Sequence, residues 1–335
     1  MGKPVADIMM DGLRAAGVRG RRGMFVDGFR TIRRSIRRVL ILGGAMAAGG
    51  CTPGILDPVG PVGAAQRQIL YNSVGIMLCV VVPVILATAL IGWWFRSTNR
   101  KARFRPDFVY SGRLEALVWA IPLLVILFLG GIAWIGAHDL DPARPLKSTR
   151  PPLEVQVVSL DWKWLFIYPE AGVASVNRLV IPVGRPVHFS LTSSSVMNAF
   201  FVPRLGSMIY TMNGMTTQLN LQADHAGRYP GQSSQFSGDG FASMRFNTDA
   251  IPPLAFDAWV AQVRRAGPVL DKAAYDRLAS PSQNIAPYAY RAVDPGLFEA
   301  ILMRSTPHAP GPAPGPAPGH VSASPAASPL STEIR

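Results

Sequence analysis

Two long apolar runs come first along the chain, then a stretch of alternating apolar and polar positions, then a helical code. No charged residue lies between Arg67 and Arg96. A helix needs about 20 residues to cross the hydrocarbon core of a bilayer, so residues 69–95 predict a first membrane helix. Residues 114–137, ahead of His138, predict a second. Pro83 and Pro122 interrupt these runs, which membrane helices tolerate because neighbouring groups re-satisfy the backbone. Trp93, Trp94, Trp119 and Trp134 lie near the ends, where indoles favour the headgroup level. Over residues 150–250 the period changes to two. Val187, Phe189 and Leu191 alternate with His188, Ser190 and Thr192, and turn signals such as Met212-Asn-Gly214 separate the runs. That pattern predicts a β-sandwich or barrel. Over residues 251–304 the code is helical: Phe256, Trp259, Val260 and Val263 share a face, and Asp294-Pro295 is placed to cap and start a last helix. Residues 305–335 hold eight prolines among Ala, Gly and Ser and predict a disordered or polyproline tail.

Charge sets the topology. Of 335 residues 49% are apolar and only 16% charged, and the formal net charge is +13. Such a charge suits nucleic acid or a membrane surface, and its distribution decides against nucleic acid. Residues 1–50 hold ten Lys/Arg against three Asp, and the loop 96–113 holds six against Asp107 alone. By the positive-inside rule that loop is cytoplasmic, so both flanks of the hairpin lie on the periplasmic side. The basic stretch Arg30–Arg38, the apolar Val39–Leu42 and a small-residue run ending at Cys51 have the layout of a secretory signal over residues 1–50. A cysteine after small residues resembles a bacterial lipoprotein cleavage site, with Ala48 where leucine is usual, so Cys51 is expected to be lipidated. An unprocessed chain with an incidental cysteine is the alternative, and Met24 is an alternative start.

The most specific motif is Gly231-Gln-Ser-Ser-Gln-Phe-Ser-Gly-Asp-Gly-Phe-Ala-Ser-Met244. It resembles the metal loop of subunit II of the haem-copper respiratory oxidases, G-Q-C-S-E-x-C-G-x-x-H-x-x-M. The cysteines that would bridge a copper pair are Ser233 and Ser237, the carbonyl-donating glutamate is Gln235, and the histidine is Phe241. The upstream histidine of the family is Asn198, in Val196-Met-Asn-Ala-Phe-Phe-Val-Pro203, and only Met244 is retained. Copper in such sites is held by thiolate and imidazole, which serine, phenylalanine and one thioether do not replace. The five histidines, His138, His188, His225, His308 and His320, show no paired spacing. No metal is expected in this chain.

A kept frame without ligands resembles the quinol-oxidising branch, the cytochrome o type ubiquinol oxidases. The resemblance covers roughly residues 51–304. It implies a membrane-anchored α+β chain: a two-helix hairpin, a periplasmic cupredoxin-like barrel and a small helical extension. It implies an accessory subunit II in a bacterial inner membrane, within a proton-translocating complex that oxidises ubiquinol and reduces oxygen to water. Haems, copper B and the quinol site would belong to subunit I. The partners would be subunits I, III and IV and membrane lipid, with no cytochrome c. Glu115 matches a glutamate at the mouth of a proton pathway, against the plain reading of a solvated boundary residue. Asp161-Trp162-Lys163-Trp164 resembles the family's aromatic tract, and without copper its expected role is packing and subunit contact, with Trp162 and Trp164 on one strand face and Asp161 as a polar partner. Two other readings are a cytochrome c oxidase subunit II and a cupredoxin-like lipoprotein acting in oxidase assembly.

Overall fold

The computed structural model describes residues 54–103, 106 and 108–303. The signal segment with Cys51 and the proline-rich tail lie outside the described residues. Helices α1 (Pro61–Trp94) and α2 (Gly112–Asp139) form an antiparallel hairpin, both long and apolar enough to cross a membrane. At 1.5 Å per residue α1 runs about 50 Å, longer than its apolar run needs. Its extra length lies at the start, where Pro61 occupies the first turn and needs no hydrogen-bond partner there. That turn is fastened to the barrel. Val59 N donates to Arg204 O (2.8 Å), Gly63 N to Leu205 O (3.0 Å), and Asp224 N to Val59 O (2.8 Å). Val59 and Val62 are buried in the barrel core. Gly60 permits this approach, because a Cβ there would overlap the Gln222 carbonyl.

The barrel is built from β1 (Leu153–Leu160), β2 (Lys163–Tyr168), β3 (Val173–Val176), β4 (Arg178–Pro182), β5 (Val187–Ser193), β6 (Asn198–Phe201), β7 (Ile209–Thr211), β8 (Thr217–Leu221), β9 (Gly227–Ser233) and β10 (Arg245–Ile251). One sheet runs β3-β2-β1-β5-β8, and β12 (Tyr288–Tyr290) adds to it beyond β3. The other runs β4-β10-β9-β6-β7. The β1–β5 and β4–β10 pairs are parallel, and the remaining pairs of these two sheets are antiparallel. Two such sheets closed over one core make the cupredoxin-like barrel that the resemblance implies.

Trp164, Phe166, Phe200 and Phe246 fill the centre, with Phe200 stacked on Phe246 at 5.2 Å and Trp164 edge-on to both at 5.6 Å. The parallel β4–β10 pair carries an ion cluster, since Arg178 and Arg228 each reach Asp249 at 2.7 Å. Burial pushes the Asp249 carboxyl up, but the hydrogen bonds from Arg228 and Arg178 outweigh it and hold it below the usual carboxylate range.

The first helix of the C-terminal extension joins the barrel's own core, and the rest of the extension covers the outer face of the larger sheet. Helix α3 (Pro253–Arg265) buries Phe256, Val260 and Val263, and Trp259 packs edge-on against Tyr168 at 5.3 Å. Helix α4 (Lys272–Ala279), capped by Asp271 accepting from Ala274 N, and α5 (Leu297–Leu302) close a second core over Val158, Leu160, Leu165 and Ile167. The short pair β11 (Val269–Leu270) and β13 (Ala292–Val293) ties these helices together. The last helix begins at Leu297, after Gly296, and not at Pro295. Asp294 instead closes a turn, its carboxylate accepting from Gly296 N at 3.1 Å. An aspartate two residues ahead bonds locally as readily as it caps.

Candidate functional site: a closed loop in place of a metal centre

The six positions that the resemblance matches to ligands are joined by hydrogen bonds, Gln235 and Phe241 through their backbone carbonyls. Strand β6 delivers Asn198, β9 ends on Ser233, and the loop 234–240 leads into a short 3-10 turn, Phe241–Ser243, before Met244. Ser233 Oγ lies 3.1 Å from Asn198 Oδ1 and 3.2 Å from the Gln235 carbonyl, and can donate to either. Ala199 N donates to Ser233 Oγ at 3.4 Å, and Ser233 N to Met244 O at 3.2 Å. Ser237 Oγ points at Met244 Sδ, 3.9 Å away. Asn198, Ser233 and Met244 are buried, while Gln235 and Ser237 are half-buried. Phe241 packs edge-on to Phe236 at 5.6 Å. Hydroxyl, amide and one thioether therefore meet where thiolate and imidazole would be needed, and the donor set does not suit copper. Among the described residues no group of three or more His, Cys, Asp or Glu is placed to hold a metal.

The aromatic tract departs from the expected arrangement. Trp162 lies in the turn before β2 and not on the strand itself, yet it packs against the same barrel core that Trp164 fills. The Trp162 backbone there is left-handed, at φ 61°. Its indole lies over Gly240, where any Cβ would overlap the ring, and Nε1 donates to Ser237 O at 2.9 Å. Trp162 thus sits half-buried between the barrel core and the loop 234–240. Trp164 is fully buried, a core residue with no surface to offer a partner, and Asp161 is nearly so. Glu115 stands exposed in the first turn of α2.

Lys163 is the site residue that pattern reading missed. Its side chain is buried, with Nζ donating to Ser280 O (2.7 Å) and Ser282 Oγ (2.6 Å), so a barrel strand clasps the extension. Burial lowers its pKa from 10.5 to about 8, against the opposing pull of the Asp161 charge. The signal available was a lone cation between two tryptophans in an otherwise apolar strand. The unfolded chain keeps this proton to higher pH than the folded one. Unfolding therefore takes up a proton between the two values, and stability should rise with pH across that window. Urea unfolding at about pH 7.5 and about pH 9.5 should show a rise approaching 2 kcal/mol that Lys163→Met removes. Burial also pushes the Tyr168 and Tyr290 phenols up, which acts in the opposite sense above about pH 10. Equal slopes in parent and variant would refute the assignment.

Comparison with known proteins gives this geometry a family. Residues 155–251 match the family described as cytochrome C oxidase subunit II, periplasmic domain, and residues 264–308 match the COX aromatic rich motif. The chain is 46% identical over 274 residues to ubiquinol oxidase subunit 2 of Acetobacter aceti, covering 80% of this chain and 89% of that one. The chain belongs to the ubiquinol oxidase subunit 2 family. Cytochrome bo(3) ubiquinol oxidase subunit 2 of Pseudomonas putida is 45% identical, with 77% and 82% covered. Quinol oxidase subunit 2 of Bacillus cereus is 36% identical, with 70% and 81% covered. The readings as a cytochrome c oxidase subunit or a free-standing assembly lipoprotein are not favoured by these relatives.

Proposed function

We propose that this chain is the non-metal-binding subunit II of a proton-translocating cytochrome o ubiquinol oxidase in a bacterial inner membrane. In this reading it spans the membrane twice, with loop 96–113 in the cytoplasm and the barrel in the periplasm. Subunit I carries the haems, copper B and the quinol site, and subunits III and IV complete the complex. Cys51 bears lipid and is the mature N-terminus. The observation that carries the reading is the hydrogen-bonded Asn198–Ser233–Gln235 loop, with no soft donor but Met244, in a chain this similar to ubiquinol oxidase subunits. A subunit without a redox centre stabilises and covers its partner and does not relay electrons from cytochrome c.

Affinity purification of the tagged chain tests this. Haem-bearing subunits should co-purify, and oxygen uptake should be driven by ubiquinol and not by reduced cytochrome c. Uptake driven by cytochrome c would overturn the proposal. Glu115, exposed at the cytoplasmic end of α2 in this topology, is the candidate mouth of the proton path. Glu115→Gln removes a titrating group and keeps its shape, so turnover should fall on the order of tenfold with haem content unchanged. Unchanged turnover would reduce Glu115 to a boundary residue.

A further inference from the structure

Where the hairpin meets the barrel there is a cavity of about 360 Å³ to which the oxidase reading gives no role. Its walls come from the start of α1, the end of α2 and the linker that follows, with Ser207 and Asn220 of the barrel opposite. Its depth follows from α2. Trp134 lies just over a turn before the last helical residue, Asp139, and indoles settle at the headgroup level, so a cavity beginning at Asp139 lies among headgroups and not among acyl chains.

The walls are built. Asn220 Nδ2 donates to the Pro142 and Ala143 carbonyls at 3.2 and 3.1 Å, and Gln66 Nε2 donates to Ser207 Oγ at 2.8 Å. All three bonds fasten the hairpin and its linker to the barrel. The cavity carries both signs of charge. Asp139 and Arg144 pair at 3.1 Å, while Asp141 and Lys147 have no ion-pair partner among the described residues. Asp141, whose carboxylate accepts only a local bond from Ala143 N (3.0 Å) among the described residues, and the Lys147 ammonium both line this mixed cavity, and together they complement a ligand that carries both charges a short distance apart. A lone anion would leave Asp141 and Asp139 opposing it.

We propose that this cavity holds the headgroup of an aminophospholipid, with its phosphate toward Lys147 and Arg144 and its ammonium toward Asp141 and Asp139. The proposal rests on reading α1 and α2 as membrane spans and needs no particular electron donor. A zwitterionic headgroup is selected over an anionic one because the carboxylates disfavour a second negative group and attract the ammonium. The lipid would fill the joint at which the barrel is levelled on the membrane.

The test uses the full chain in its purified oxidase complex, with Asp141→Asn/Lys147→Gln as the variant. Both side chains are exposed, so the exchange leaves the fold alone. Native mass spectrometry should find about one phosphatidylethanolamine fewer on each variant complex, a stoichiometry that follows from one headgroup held by one charge pair. In nanodiscs the parent should melt higher in phosphatidylethanolamine than in phosphatidylglycerol, and the variant should lose that preference. Inorganic phosphate added to the delipidated parent should not reproduce the rise. Equal lipid retention by parent and variant, or full reproduction by phosphate, would overturn the site. Release of the unmodified chain from membranes by alkaline carbonate would overturn the spanning reading beneath it.

Discussion

Ser233→Cys, Ser237→Cys, Asn198→His, Phe241→His and Gln235→Glu made together should turn a loop whose donors do not suit copper into a stoichiometric copper site. The frame for it is present. Ser233 Oγ already lies 3.1 Å from Asn198 Oδ1, and Ser237 Oγ 3.9 Å from Met244 Sδ, so sulfur and imidazole donors would arrive within ligating reach of each other. Zn and Cu bonds to sulfur and nitrogen run at about 2.0–2.3 Å, a contraction that a loop of 3-10 and turn backbone can take up. Phe241 must leave Phe236, and the second imidazole then completes the set. Ser233→Cys/Ser237→Cys alone should bind weakly and without defined geometry, because the groups that orient a metal matter nearly as much as its first donors. Metal content after dialysis against a chelator, with the absorption of a mixed-valence copper pair, is the readout. Copper retained by the unmodified chain would contradict the proposed function. Failure of the fully restored chain to bind would mean that the loop frame is not that of a copper site.

The sequence made some parts of this molecule legible and hid others for physical reasons. Strand β5 was readable because it alternates buried and half-exposed positions at its start. Strand β2 shows no such alternation, since its six residues are all buried, and only the spacing of the tryptophans pointed to a strand. The extension covers the outer face of its sheet, and a strand packed on both faces reads as a continuous apolar run. The docking of Val59 and Val62 into the barrel was invisible because nothing local distinguishes a membrane helix that starts early from one that starts at its apolar run. At the site, the convergence of Asn198 with Ser233 followed from the family resemblance and not from any periodicity. The left-handed turn at Trp162 followed from neither, since tryptophan carries no bias toward positive φ. Lys163 was overlooked because a charge in a strand is ordinarily assigned to the solvent face, and here that face lies under Ser280 and Ser282.

That distinction separates the two tryptophans by experiment. Trp164→Ala should cost about 3–5 kcal/mol, the range for deleting a large aromatic from a packed core, because the ring is wholly buried against Phe200 and Phe246. Trp164→Phe should cost much less, on the order of 1 kcal/mol. The indole Nε1 is buried without a hydrogen-bond partner, so the phenyl ring gives up volume but also removes an unsatisfied donor. Trp162→Ala removes one hydrogen bond, to Ser237 O, and the lid over Gly240. A half-buried ring of that kind contributes about 1–2 kcal/mol, so the barrel should still fold. What Trp162→Ala should reduce is recovery of the chain with the haem-bearing subunits, since Trp162 is the tract's only tryptophan with surface left to present. Chemical denaturation and co-purification read the two effects separately. A Trp162→Ala chain that unfolds as readily as Trp164→Ala would make Trp162 a second core residue. One that folds and assembles like the parent would remove its contact role.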